Sequence, residues 1–289
     1  MKTRQTISRI ITDTLINSRV QVHYAIQFIA ATGAALAEPL PDYSHTSLAW
    51  NPSLKVFVGI AIQTTQPFQV ALMPVSLTLV LLNQQGEAIA ALPLHGKTMA
   101  EGLTWLQQES AKLGADANKI VFLDYPPNDF PDHPLAHGDT FDATQTPTLQ
   151  ELTDYYANTY GQLQDMIATV EDATAVRIWP HHFDMATLIM LPGMRDGIPL
   201  TVGIGLSPGD TSYDEPYWYV SPYPYPDTTH LPGLEGEGFW HTQSWVGAVL
   251  KASQLAQTAE TQQNQLKAFL HSALRHAIAL LQPGLATPA

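Results

Sequence analysis

The chain reads as an α+β protein, with antiparallel sheet packed against long amphipathic helices. Three observations predict that class. Strand-like runs come in groups rather than alternating singly with helices. Segments with helical spacing of apolar residues open the chain, divide it and close it. Of 289 residues, 45% are hydrophobic and 13% charged, about half the usual charged fraction, which suits a large core. The organisation read from this is one α+β domain over 1–289. A pseudo-duplication of 1–124 and 148–289 is the alternative, each half being a helix, meandering strands and a helix, although no residue-level repeat is visible.

The elements follow in order. Residues 3–36 read as one or two helices, with Ile7, Ile10, Ile11, Leu15, Val22, Ile26 and Ile29 at helical spacing, and end before Glu38-Pro39-Leu40-Pro41. Ala35-Leu36-Ala37 has the look of a signal-peptidase site, but Asp13, Arg19, His23 and Gln27 interrupt the stretch before it, so a core helix is preferred. Lys55–Ile62 has strand composition, with Val56, Val58, Ile60 and Ile62 on one face. Strands at 69–73, 76–82 and 88–94 follow, the last two flanking the turn Asn83-Gln84-Gln85-Gly86. A helix over 98–113 begins with Thr98 and Glu101, a capping-box pair. A strand is expected at 119–123, then a Pro/Asp/His-rich loop over 125–147 of the length that is often functional. A helix over 148–170 precedes strands near 175–191, 199–206 and 216–221. After a Pro/Gly loop at 223–238, two closing helices are expected at 239–256 and 260–281. The second has Leu266, Phe269, Leu270, Ala273, Leu274, Ala277 and Ile278 on one stripe.

Composition also excludes. The formal charge is −13, which disfavours nucleic-acid and anionic membrane partners. Cysteine is absent, so disulfides, thiolate metal sites and a cysteine nucleophile are out; a cytoplasmic location fits. No stretch of about 18 apolar residues exists to span a membrane. Phosphate-binding loops, His-Glu-x-x-His helices and Gly-x-Ser-x-Gly elbows are missing.

The chemistry concentrates in Arg177-Ile-Trp-Pro-His-His-Phe-Asp184 and Asp210-Thr-Ser-Tyr-Asp-Glu-Pro-Tyr-Trp-Tyr-Val-Ser-Pro222. On a continuous strand, His182 and Asp184 share a face, with His181 on the other. That pair offers a nitrogen and an oxygen to a divalent ion such as zinc, or a base with its orienting acid. Pro180 threatens the alternation. A purely structural role for both histidines is the competing account. His133 and His137 lie in the acidic loop, where Pro134 argues against a helical ligand pair. Asp210, Asp214 and Glu215 form a carboxylate cluster, with Glu215 at a strand start able to act as base or ligand. Tyr213, Tyr217, Trp218, Tyr219, Tyr223 and Tyr225 could form a platform for a flat ligand, a core edge or a homodimer interface. His241, at an expected helix start, could join the site.

Several short features occur in an order that resembles a bacterial family of uncharacterised proteins known only as a domain of unknown function. They are Asp13-Thr14-Leu15, His45 before a strand, His137 and Asp142 before the long helix, Phe183-Asp184, and Glu215-Pro216-Tyr217-Trp218-Tyr219. The resemblance covers most of the chain and implies a fold and a site location, not an activity. Members carry small residues where this chain has His181 and His182, and the His137–Asp142 interval is one residue longer here. Only His45, His137, Asp184 and Glu215 can therefore inherit a role from it.

The functional expectation is a pocket with His182, Asp184 and Glu215 as catalytic groups. His45, His137, Tyr217, Trp218, Tyr219 and His241 bind the ligand. The pocket performs metal-assisted or acid–base hydrolysis of a small polar substrate. The alternatives are non-catalytic binding of a sugar or carboxylate, or a structural protein with an aromatic homodimer interface.

Overall fold

The computed structural model describes residues 6–7 and 13–282. The expected opening helix therefore lies partly outside the described residues, Ile10 and Ile11 included. The described chain divides into two compact units. Residues 13–153 and 177–183 form the first; residues 6–7, 154–176 and 184–282 form the second.

In the first unit, α1 (Asp13–Ala25) and α2 (Gln27–Leu36) follow one another with Ile26 between them. Phe28, Ile29, Ala30 and Ala31 of α2 are buried, because small and aliphatic residues let a helix pack closely on its neighbours. Gly33 is needed there: a Cβ would collide with the backbone carbonyl of His45. Strands β1 (Ala49–Asn51), β2 (Val56–Val58), β3 (Gln69–Met73), β4 (Thr78–Leu82) and β5 (Ala88–Pro93) form an antiparallel meander in sequence order. Val56, Val58, Ala71, Val80 and Leu82 make one buried cluster; Phe57, Leu72, Leu79 and Leu81, at the alternate positions, are also buried. The sheet thus buries aliphatics on both faces. β2 is shorter than expected, and Ile60 is exposed.

Helix α3 (Met99–Lys112) begins with the expected capping box: Glu101 N–H donates to Thr98 Oγ1 at 3.1 Å, and Thr98 N–H to Glu101 Oε2 at 2.9 Å. Each bond satisfies a donor that the first turn leaves open. The strand expected at 119–123 is absent. A short 3-10 turn at Ala117–Lys119 leads into extended chain without ladder partners, since the Pro/Asp loop that follows supplies no neighbouring strand.

The division between the units falls within α4 (Thr146–Ile167). In the second unit, β7 (Met185–Arg195), β8 (Ile198–Ser207), β9 (Tyr217–Tyr223), β10 (Phe239–His241) and β11 (Gly247–Lys251) are antiparallel, in the order β10-β11-β9-β8-β7. Helix α5 (Ala259–Leu281) packs on β8, β9 and β11. It buries Leu266, Phe269, Leu270, Ala273, Leu274 and Ala277, each fully buried large side chain stabilising by roughly 1.5–3 kcal/mol. The helix expected over 239–256 is instead two strands and a 3-10 turn. Val246, Ala248, Val249 and Leu250 are all buried, a continuous apolar run that β11 buries on both faces between β10 and β9. Periodicity alone cannot separate such a run from a buried helix. Two antiparallel sheets with helices make the protein α+β. No helix among the described residues is long and apolar enough to cross a membrane.

Candidate metal centre

The strand expected over 175–191 breaks where Pro180 stands. β6 (Arg177–Ile178) is pinned to Leu48 by two backbone bonds of 2.9 and 2.8 Å. Proline has no N–H for a ladder, and the chain turns at Pro180, His181 and His182. Phe183 closes the turn, its N–H donating to Trp179 O at 2.8 Å and its φ being +58°. On a strand, adjacent side chains point to opposite faces; the turn sets the two imidazoles side by side, 4.1 Å apart and 22° from parallel. The pairing of His182 with Asp184 loses the strand geometry on which it rested.

A different acid comes to the histidines. Asp129, in the long loop, has its N–H bonded to Pro126 O at 3.1 Å. Its carboxylate, His181 and His182 each present one ligand atom, all within 4.8 Å of one another. Around a tetrahedral zinc ion at about 2.1 Å, ligand atoms stand roughly 3.4 Å apart. Small rotations of the two exposed members, Asp129 and His182, would close that gap. His181 Nε2 lies 3.1 Å from Asp129 Oδ2, yet this buried nitrogen makes no hydrogen bond. Burial, helped by His182, lowers the His181 pKa from its ordinary value, with Asp129 opposing. The ring is thereby favoured in the neutral form that binds metal.

The remaining expected residues have local partners. In the second unit, Asp184 accepts the Tyr219 hydroxyl at 2.7 Å, and Asp210 accepts the Tyr217 hydroxyl at 2.6 Å. Burial first, then Asp184 for Tyr219 and Asp210 for Tyr217, raises both phenol pKa values, so both stay protonated donors. Glu215 binds the backbone N–H and hydroxyl of Ser253 (2.7 and 3.0 Å) and pairs with Lys251 at 3.1 Å. It caps the 3-10 turn after β11. Trp218 has no exposed surface and donates from Nε1 to Thr159 Oγ1 at 2.8 Å. It cannot offer a ligand platform or an interface, and Tyr217 is buried too. Of the aromatic run, Tyr223 and Tyr225 are exposed. His241 sits on β10 rather than at a helix start, bonded through Nδ1 to the Tyr213 hydroxyl at 2.8 Å and stacked on Trp245.

In the first unit, His45 is buried and its Nδ1 accepts the Leu40 N–H at 3.1 Å, closing the link after α2. His137 pairs with Asp132 at 2.8 Å, both well exposed. His133 bonds Asn17 at 3.1 Å through Nε2.

No family model, curated protein or solved structure matches the chain. Sequence reasoning missed Asp129 and His181 as partners of His182. The signals present were Pro180 directly before the two histidines and the acidic loop some fifty residues upstream, but nothing in the spacing joins them.

Proposed function

We propose that the protein binds a divalent metal ion of the zinc class through Asp129, His181 and His182, and uses it in hydrolysis of a small polar substrate. The carrying observation is the convergence of three ligand atoms within 4.8 Å, one of them a buried nitrogen without a hydrogen bond. That nitrogen meets Asp129 Oδ2 at 3.1 Å without the geometry of a hydrogen bond, and a metal between the two would engage both. Imidazole and carboxylate donors without thiolate suit zinc, iron or manganese. Three protein ligands with two exposed members leave a coordination position for water, the pattern of catalytic rather than structural zinc sites. A metal there supplies a water acidic enough to act near neutral pH. Residues 124–147, the stretch that supplies Asp129, carry Asp124, Asp129, Asp132, Asp139 and Asp142 and no Lys or Arg, which favours neutral or cationic substrates over anionic ones.

Chelator-stripped, tag-free protein titrated with zinc, cobalt or manganese tests the reading. One ion per chain is expected, with binding lost in His182→Ala and in Asp129→Ala. Binding that survives both substitutions, or no binding by the intact chain, overturns it.

A further inference from the structure

A metal site is only as good as the groups that orient its ligands. Behind the histidine turn, the first unit carries a further set of contacts. The Tyr125 ring lies flat on His181, with centroids 4.5 Å apart and planes within 4°. His182 stacks on His181 as well, at 4.1 Å. These neighbours restrict rotation of the His181 ring and leave its nitrogen-bearing edge as the direction for coordination. Tyr125 also lies parallel to Phe130, at 5.1 Å and 9°. Phe130 directly follows Asp129, so the aromatic contacts tie the loop that carries the acid to the turn that carries the imidazoles.

Hydrogen bonds hold this arrangement from beneath. The Tyr125 hydroxyl donates to Gln27 Oε1 at 2.8 Å. Gln27 is 5% exposed, and its amide donates to Pro180 O at 2.9 Å and to His23 O at 3.0 Å. His23 Nε2 donates to the same Pro180 carbonyl at 2.9 Å. One buried glutamine, its two donors and one acceptor all engaged, thus connects α2, the residue preceding His181, and the ring covering His181.

We propose that Tyr125 and Gln27 are positioning residues for this centre, holding His181 in the orientation that meets Asp129 at the metal. The proposal rests on the metal-binding reading above. Removing a group hydrogen-bonded directly to a metal ligand typically weakens affinity 10- to 100-fold; Tyr125 meets its ligand by stacking, so the lower end of that range is expected.

The test compares the intact protein with Tyr125→Phe, which keeps the ring and loses the hydroxyl, and Tyr125→Leu, which loses the ring. His182→Ala is the control for the site itself. Zinc dissociation constants, the visible spectrum of bound cobalt and the melting temperature of the metal-free protein are measured together. The expected result is one ion per chain throughout the Tyr125 variants. The dissociation constant should rise about tenfold in Tyr125→Phe and further in Tyr125→Leu, with an altered cobalt spectrum. Wild-type affinity and spectrum in both variants, with binding still lost in His182→Ala, overturn the positioning role and leave the metal reading standing. An affinity loss that only tracks a fall in metal-free melting temperature, with the cobalt spectrum unchanged, overturns it too. Absence of binding by the intact protein overturns both.

Discussion

Two clusters in this chain use similar side chains to opposite ends. In the second unit, Asp210 accepts the Tyr217 hydroxyl, the Ser212 and Tyr213 backbone N–H groups and the Ser207 hydroxyl, at 2.6 to 3.4 Å. Asp184 likewise takes the Tyr219 hydroxyl. In the first unit, Asp129, His181 and His182 converge beside solvent, and His181 Nε2 meets Asp129 Oδ2 at 3.1 Å without hydrogen-bond geometry. The difference is whether lone pairs are already spent. A carboxylate saturated by donors holds a fold together, whereas one that meets imidazoles beside solvent has capacity left for an ion.

Measurements on each cluster separate the two roles. The largest effect is expected from pH. His23, behind the histidine turn, is 4% exposed, and burial lowers its pKa from 6.5 to about 3, with Arg19 and His182 adding to the fall. Its folded pKa is depressed, so the unfolded chain binds the proton first. The associated stability is full above about 6.5 and is lost as pH falls toward about 3, on the order of 5 kcal/mol. Urea unfolding across that window should show a steeper loss in the wild type than in His23→Gln; parallel curves would remove the rigid backing claimed for the open cluster. Next, Asp210→Ala should cost about 3 kcal/mol in metal-free protein, because the buried Tyr217 hydroxyl loses its acceptor. A neutral result would mean the spent cluster is not structural.

Zinc at about a hundredfold excess over its dissociation constant should stabilise the wild type by about 2.7 kcal/mol. Asp129→Ala should erase that gain while changing metal-free stability by less than about 0.5 kcal/mol. Calorimetry with and without zinc checks both halves. Glu215→Ala should cost about 1.5 kcal/mol through the Ser253 cap and leave zinc affinity unchanged in a direct titration. The smallest effect is expected from His137→Ala. That exposed pair with Asp132 should contribute under about 0.5 kcal/mol, and a larger loss in thermal unfolding would give it a role that its exposure does not suggest.

How far the sequence was legible follows from what kind of signal each feature leaves. The capping box at Thr98 and the α5 stripe are local, and the structure has both where the residues place them. The meander β3–β4–β5 was also readable, because Asn83 and Gly86 mark its turn and Gly86 adopts φ +79°. Residues 239–256 misled, since the buried run Val246–Leu250 owes its strand state to β9, a partner distant in sequence. The candidate cluster is half legible. His182 stood out by composition, but Asp129 reaches it only through the tertiary path of a long loop. Pro180 signalled a break, and the consequence of that break, two imidazoles on one side, required the turn itself. Trp218 misled in the other direction: an indole among tyrosines reads as a platform, and only Thr159, 59 residues earlier, shows where its N–H goes.

Phe183 closes the histidine turn in an uncommon backbone state. A bulky residue with φ +58° is held in a sparsely populated left-handed state, which costs on the order of 1–3 kcal/mol unless packing compensates. The compensation is visible: the ring is wholly buried, 5.7 Å from Phe57 of β2 and 5.2 Å from His23. The histidine loop is therefore cocked by an aromatic plug in the interior. Trimming Phe57 would loosen the plug and let the loop uncoil, so the spacing of Asp129, His181 and His182 can be changed from inside the protein without altering any of the three.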